Sequence, residues 1–214
     1  MRRTLAILLA TFLLFSFIPA APAIAAQATK VNFNEVMSVQ YIGTGTVRQI
    51  GNPDGTYYWL VKDRPAAGII TSGNVFTGGT FTFVYSGVFR PDQSGRAEGD
   101  LTVVTPAGTA TAKVITSISA TTPIGIALKD GAPYGIVARA SFTSAHFALV
   151  MGTGSYKHLK GAGSFAGDIY AILDMSGTHV IALADGTYPV FGFDNSYLGN
   201  PASFMTMTGA GVTG

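Results

Sequence analysis

A chain of 214 residues with 13 Lys and Arg against 11 Asp and Glu carries a formal charge of +2 and has no cysteine. That excludes a thiol nucleophile, a lipobox anchor, a cysteine-based zinc site and a disulfide framework, and the near-neutral balance leaves no basic patch for nucleic acid. Only 11% of the residues are charged, where about 25% is usual, so Thr, Ser and Gly must form much of the surface.

Arg2-Arg3 precede an apolar run from Thr4 to Ile18, Pro19 breaks it, and Ala23-Ile24-Ala25 puts small residues at both cleavage positions. This is the layout of a secretory signal. Residues 1–25 are therefore expected to be removed after Ala25, leaving 26–214 as one domain in a secreted or periplasmic location. The run is shorter than the roughly 20 residues a spanning helix needs, and no second long apolar run follows Ala26. Loss of Arg2 and Arg3 takes the 13 basic residues to 11, equal to the acidic ones.

Gln27 to Asn34 reads as a ragged start. Strand-like runs follow at Val36–Ile42 and Thr44–Ile50, interrupted by Gly43 and Gly45. Asn52-Pro53-Asp54-Gly55 is a turn, because Pro presets one dihedral and Gly accepts a positive φ. Thr56 to Val61 is the next strand, around Tyr57-Tyr58-Trp59, and Lys62 to Gly68 reads as a polar connection around Pro65. After the turn Thr77-Gly78-Gly79, Thr80 to Tyr85 alternates cleanly, with Phe81, Phe83 and Tyr85 on one face. That period of two predicts a half-buried antiparallel strand. Arg90 to Gly95 closes a hairpin, Ala97 to Val104 returns, Pro106-Ala107-Gly108 turns, and Thr109 to Ile118 continues the meander. Thr121 to Pro133 reads as the loosest region. Tyr134 to Met151 holds one long strand or two short ones, and Phe165–Leu173, Thr178–Ala184 and Thr187–Phe193 follow, with a last strand at Ser203–Thr208.

Helical spacing is nowhere sustained, and turn signals recur every 8 to 15 residues, as in an all-β barrel or sandwich. The pattern by itself leaves those two architectures even, since both solve the problem of exposed strand edges.

Between two strand-like runs lies Gly152-Thr153-Gly154-Ser155-Tyr156-Lys157-His158-Leu159-Lys160-Gly161-Ala162-Gly163-Ser164-Phe165-Ala166-Gly167. Five glycines in these 16 residues are too many for a helix and suit two tight turns flanking a short loop, with Gly152, Gly154, Gly161 and Gly163 as turn residues. Tyr156 and Leu159, the sizeable apolar groups of the connection, are expected to fold under it as a plug. The pattern G-T-G-x-Y-x-x-L-x-G-x-G-x-F resembles the glycine-rich hairpin of the superfamily that includes allene oxide cyclases and dirigent proteins. The resemblance implies an antiparallel, calycin-like β-barrel of about eight strands with a central cavity. It carries over no catalytic residues, because the shared stretch is the hairpin.

Gly152-Thr153-Gly154 is no nucleotide loop: Lys157 stands where the dinucleotide fingerprint needs glycine, and G-x-x-x-x-G-K-[ST] is absent. His146, His158 and His179 lack metal-ligand spacing, and G-x-S-x-G does not occur, so neither a metal nor a cofactor is expected. Asp168 and Tyr170 share a strand face, as do Glu98 and Asp100. If the first pair faced a lumen together with His146, the three could do acid–base work, although alternation normally turns polar residues outward. Tyr57 and Trp59 share another face and offer a stacking platform for a ligand if exposed. The expectation is thus a secreted barrel that binds a small apolar ligand or acts as an envelope interaction module, with a lumenal isomerase or cyclase as the alternative and oligomerisation left open.

Overall fold

A computed structural model describes residues 28–43, 45–129, 132–176 and 204–214. Their elements are strands β1 (Thr29–Ile42), β2 (Thr46–Gly51), β3 (Tyr57–Ser72), β4 (Thr80–Phe89), β5 (Gly95–Thr105), β6 (Gly108–Ile118), β7 (Thr122–Lys129), β8 (Ala132–Gly152), β9 (Lys160–Leu173) and β10 (Phe204–Thr213), with a single 3-10 turn at Gly154–Tyr156. Among the described residues no helix is long and apolar enough to cross a membrane. The expected strands Thr178–Ala184 and Thr187–Phe193 and the expected signal segment lie outside the described residues.

All the strands belong to one antiparallel sheet. Its order runs β1, β10, β9, β8, β6, β5, β4, β3, and β3 then pairs back onto β1, so eight strands form a closed ring of hydrogen bonds. β2 continues the line of β1 along β3, and β7 continues the line of β6 along β8. The β2–β3 and β7–β8 pairings therefore project beyond the ring at the end where Arg90–Ser94 joins β4 to β5.

Several strands differ from the sequence expectation. β1 begins at Thr29 rather than after a ragged stretch, because its first residues pair with the C-terminal strand, Thr29 opposite Thr213. β3 runs through Lys62–Gly68 instead of stopping there. A register shift between Val61 and Arg64, with Asp63 at φ 51°, carries it from partner β2 to partner β1, and Pro65 is tolerated beside that irregularity. Thr122–Lys129 is a strand where a loose region was expected. Its Pro123 sits at a register shift on a strand that, among the described residues, pairs with β8 alone, and such an irregularity tolerates the missing N–H. Gly161 and Gly163 lie inside β9, and the glycine-rich C-terminus is itself strand β10.

The alternation expected for β4 holds: Phe81 is buried while Thr80, Thr82 and Val84 are exposed. The inward positions of the ring make one cluster that includes Phe33, Met37, Leu101, Val114, Phe147 and Met207. Their burial is the main stabilising contribution to the fold, at about 1.5–3 kcal/mol for each large side chain fully removed from water. A second, small cluster of Ala127, Val137 and Ile172 belongs to the projecting strands β7, β8 and β9.

Candidate functional site

One inward row contains only small or mid-sized side chains. Val61 pairs with Gly87, Gly87 with Ala97, Ala97 with Thr116, and Thr116 with Ala145. Strand pairing fixes these residues side by side, so the row cannot fill the space it encloses. Beside it lies a cavity of about 30 Å³, walled by Thr116, Ala145, Met37, Met205, Leu101, Val114 and the rings of Phe81, Phe83, Phe142 and Phe165. The wall surface is apolar. Thr116 is 3% exposed, and its hydroxyl is buried without a partner. The volume would hold about two waters, but a water needs two to four polar partners, which this wall does not offer.

Two loops close the ring at the end away from the projecting hairpins. From the β8–β9 connection, Tyr156 and Leu159 are 8% and 5% exposed and belong to the main core cluster; the sequence placed this plug correctly. The 3-10 turn that carries Tyr156 is docked on the β5–β6 turn, where the Ser155 N–H donates to the Ala107 carbonyl at 2.9 Å and the Thr153 N–H to the Thr109 carbonyl at 2.8 Å. Gly154 supplies the positive φ of 56° that this turn needs. From the β3–β4 connection comes Phe76, fully buried, its ring stacked on Phe33 and set edge-on to Tyr156 at centroid distances of 6.0 and 5.2 Å. The Tyr156 hydroxyl donates to the Val75 carbonyl at 3.0 Å and lies 3.0 Å from Thr105 Oγ1.

Glu35 anchors the same end. It is in phase with Phe33 and Met37 on β1 and is fully buried. Its Oε1 accepts the N–H groups of Val75 at 2.8 Å and Asn74 at 3.2 Å, and its Oε2 accepts that of Phe76 at 3.1 Å. Three charge-assisted bonds offset the cost of burying a carboxylate. Sequence reasoning missed both Glu35 and Phe76. The available signal was an acid in phase with two large apolar residues; the length assigned to the ragged start hid it.

The residues expected to carry chemistry are not brought together at the cavity. His146 is exposed on the outer side of β8, between buried Ala145 and Phe147. Asp168 accepts a 2.5 Å hydrogen bond from the Ser141 hydroxyl on the neighbouring strand. Tyr170 packs against the small cluster of the projecting strands. None of the three lines the cavity. Glu98 is exposed and Asp100 pairs with Lys113 at 2.7 Å on the solvent side. Tyr57 and Trp59 share a face as expected, edge to face at 5.7 Å and half-buried, on the projecting part of β3. Of the glycines read as turn residues, Gly152 ends β8 and Gly154 is in the turn, while Gly161 and Gly163 serve β9 by close approach to β10.

Asp54 and Asp92, both in turns at the hairpin end, have lowered pKa values. Asp54 is held down first by the Thr56 hydroxyl and then by the Thr56 N–H. Asp92 is held down first by the Ser94 hydroxyl, against some desolvation. Both are the self-contained Asx turns that Asp forms two residues ahead of a hydroxyl. They stabilise the local chain reversal, and neither lines the apolar cavity.

No protein-family model matches the chain, and neither a curated protein nor a solved structure matches it.

Proposed function

We propose that the chain is an exported β-barrel protein that holds a small apolar molecule in its interior and performs no chemistry on it. The observation that carries this reading is the cavity wall: ten residues, none of them titratable. Acid–base or nucleophilic catalysis needs such a group within hydrogen-bond reach of its substrate. The barrel part of the reading is supported by the eight strands paired in a ring, the number at which an interior is either filled by side chains or accommodates one small ligand. It agrees with the resemblance of the Gly152–Gly167 stretch to the allene oxide cyclase and dirigent group.

The resting cavity is far below the roughly 300–1,000 Å³ of drug-sized ligand sites. Met37 and Met205 on its wall are unbranched and repack at low cost, so a slender ligand enlarges the space by moving them. A lumenal isomerase would need His146, Asp168 and Tyr170 on that wall.

Native mass spectrometry of the protein purified from its source tests the ligand. The expected result is an apolar adduct lost on unfolding. A bare protein mass, together with no saturable uptake of the apolar dye N-phenyl-1-naphthylamine, would refute the reading. The intact mass of the same sample tests export: a chain beginning at Ala26 is expected, and retention of residues 1–25 would overturn it.

A further inference from the structure

We propose that Gly73–Gly79 is a glycine-hinged plug that gates the interior and is latched by two side chains, Glu35 and Tyr156. The segment joins β3 to β4 and is tied to the sheet backbone at its far end, where the Ile70 N–H donates to the Gly79 carbonyl at 2.8 Å and the Gly78 N–H to the Ile70 carbonyl at 3.0 Å; near its start the Asn34 N–H donates to the Asn74 side-chain oxygen at 3.2 Å. Between the hinges, the N–H groups of Asn74, Val75 and Phe76 all donate to the Glu35 carboxylate, and the Val75 carbonyl accepts from the Tyr156 hydroxyl. Releasing these two side chains leaves the middle of the segment held by the buried Phe76 ring and the Asn34–Asn74 hydrogen bond, with no strand pairing to break. The backbone can swing at either end, because Gly73 and Gly78 stand at φ 151° and 75°, which glycine adopts without strain.

Behind the plug, ring contacts lead directly to the cavity. Phe76 stacks on Phe33 at 6.0 Å, Phe33 meets Phe147 at 5.7 Å, and Phe147 meets Phe165 at 5.3 Å. Phe165 is part of the cavity wall. Lifting Phe76 therefore uncovers Phe33, the first ring of an apolar chain that ends on the cavity wall. The rival entrance is the opposite end, where Tyr57 and Trp59 stand on the projecting part of β3.

The gate rests on the ligand reading for what passes through it, so the test reads the two separately. Amide exchange at Asn74, Val75 and Phe76 is compared with that at Leu101 and Val114 in the parent, Glu35→Gln and Tyr156→Phe. Both the rate and the equilibrium extent of N-phenyl-1-naphthylamine uptake are measured on the same proteins. The expected result is at least a tenfold rise in exchange at the three plug amides in each variant, unchanged exchange at Leu101 and Val114, and dye entry faster by a similar factor at unchanged equilibrium uptake. An equal rise at Leu101 and Val114 would show that the segment is an inseparable part of the core and overturn the proposal. Faster plug exchange with dye entering at the parental rate would overturn the gate alone and place the entrance at the hairpin end. No equilibrium uptake by any of the proteins would overturn the ligand reading, and the gate with it.

Discussion

Gly161 and Gly211 stand directly opposite each other across β9 and β10, and the Phe33 ring lies over both. A methyl group on Gly161 would sit 2.6 Å from Phe33 Cε2 and 2.8 Å from the Ala210 carbonyl oxygen. The aromatic ring takes the place of the missing side chains, a known way of covering strand glycines. Gly161→Val is therefore expected to cost about 1–3 kcal/mol through overpacking. Gly154→Val is expected to cost a similar 1–3 kcal/mol for a different reason, the positive φ of its turn. Lys157 and Lys160 are exposed, and changing either to Ala should stay within about 0.5 kcal/mol. Denaturant melts of the four variants decide this: midpoints unmoved by the glycine changes would remove the structural role of the stretch.

His146 and Phe147 are neighbours in sequence on opposite sides of the sheet. Phe147 is 3% exposed and touches the rings of Phe33 and Phe165, so Phe147→Ala should cost about 3–5 kcal/mol. His146→Ala should stay within about 0.5 kcal/mol and leave dye uptake unchanged. A His146 variant that lost uptake would return the imidazole to the candidate site.

Thr116 keeps its hydroxyl buried and unpartnered beside an apolar cavity. Such a group is destabilising by about 1–3 kcal/mol. Thr116→Val replaces it with a methyl of similar shape, and the midpoint of denaturant unfolding should rise at unchanged slope. A fall in the midpoint would mean that the hydroxyl has a partner in solution.

At Asp92 the folded-state pKa lies below its ordinary value, chiefly because the Ser94 hydroxyl donates to Oδ1 at 2.7 Å. A depressed carboxyl contributes its stability fully above the unfolded pKa of about 3.9 and loses it as the pH falls through the folded value. Ser94→Ala removes the largest cause. The Asp92 carboxyl should then titrate at higher pH by NMR, and the stability difference from the parent should vanish in acid. An unmoved titration midpoint would show that the hydroxyl does not hold the carboxylate.

The all-β class, the β4–β5–β6 meander and the inward face of β4 were legible in the sequence, because alternation of apolar and polar residues and the placing of turn residues are local properties of the chain. The same local logic identified Tyr156 and Leu159 as a plug, since they are the large apolar groups in a glycine-rich connection. What local pattern cannot supply is which strands meet. Gly161 and Gly163 looked like turn residues because their reason, the close approach of Gly211 and Gly209, arises from a strand more than 40 positions away. The pairing of β3 back onto β1 that closes the ring, the Glu35 carboxylate under Asn74–Phe76, and the row of small side chains beside the cavity are likewise decided by register between distant strands. So is the placing of His146, Asp168 and Tyr170 away from the cavity. A strand's period names two faces, and only the assembled sheet determines which of them is inside.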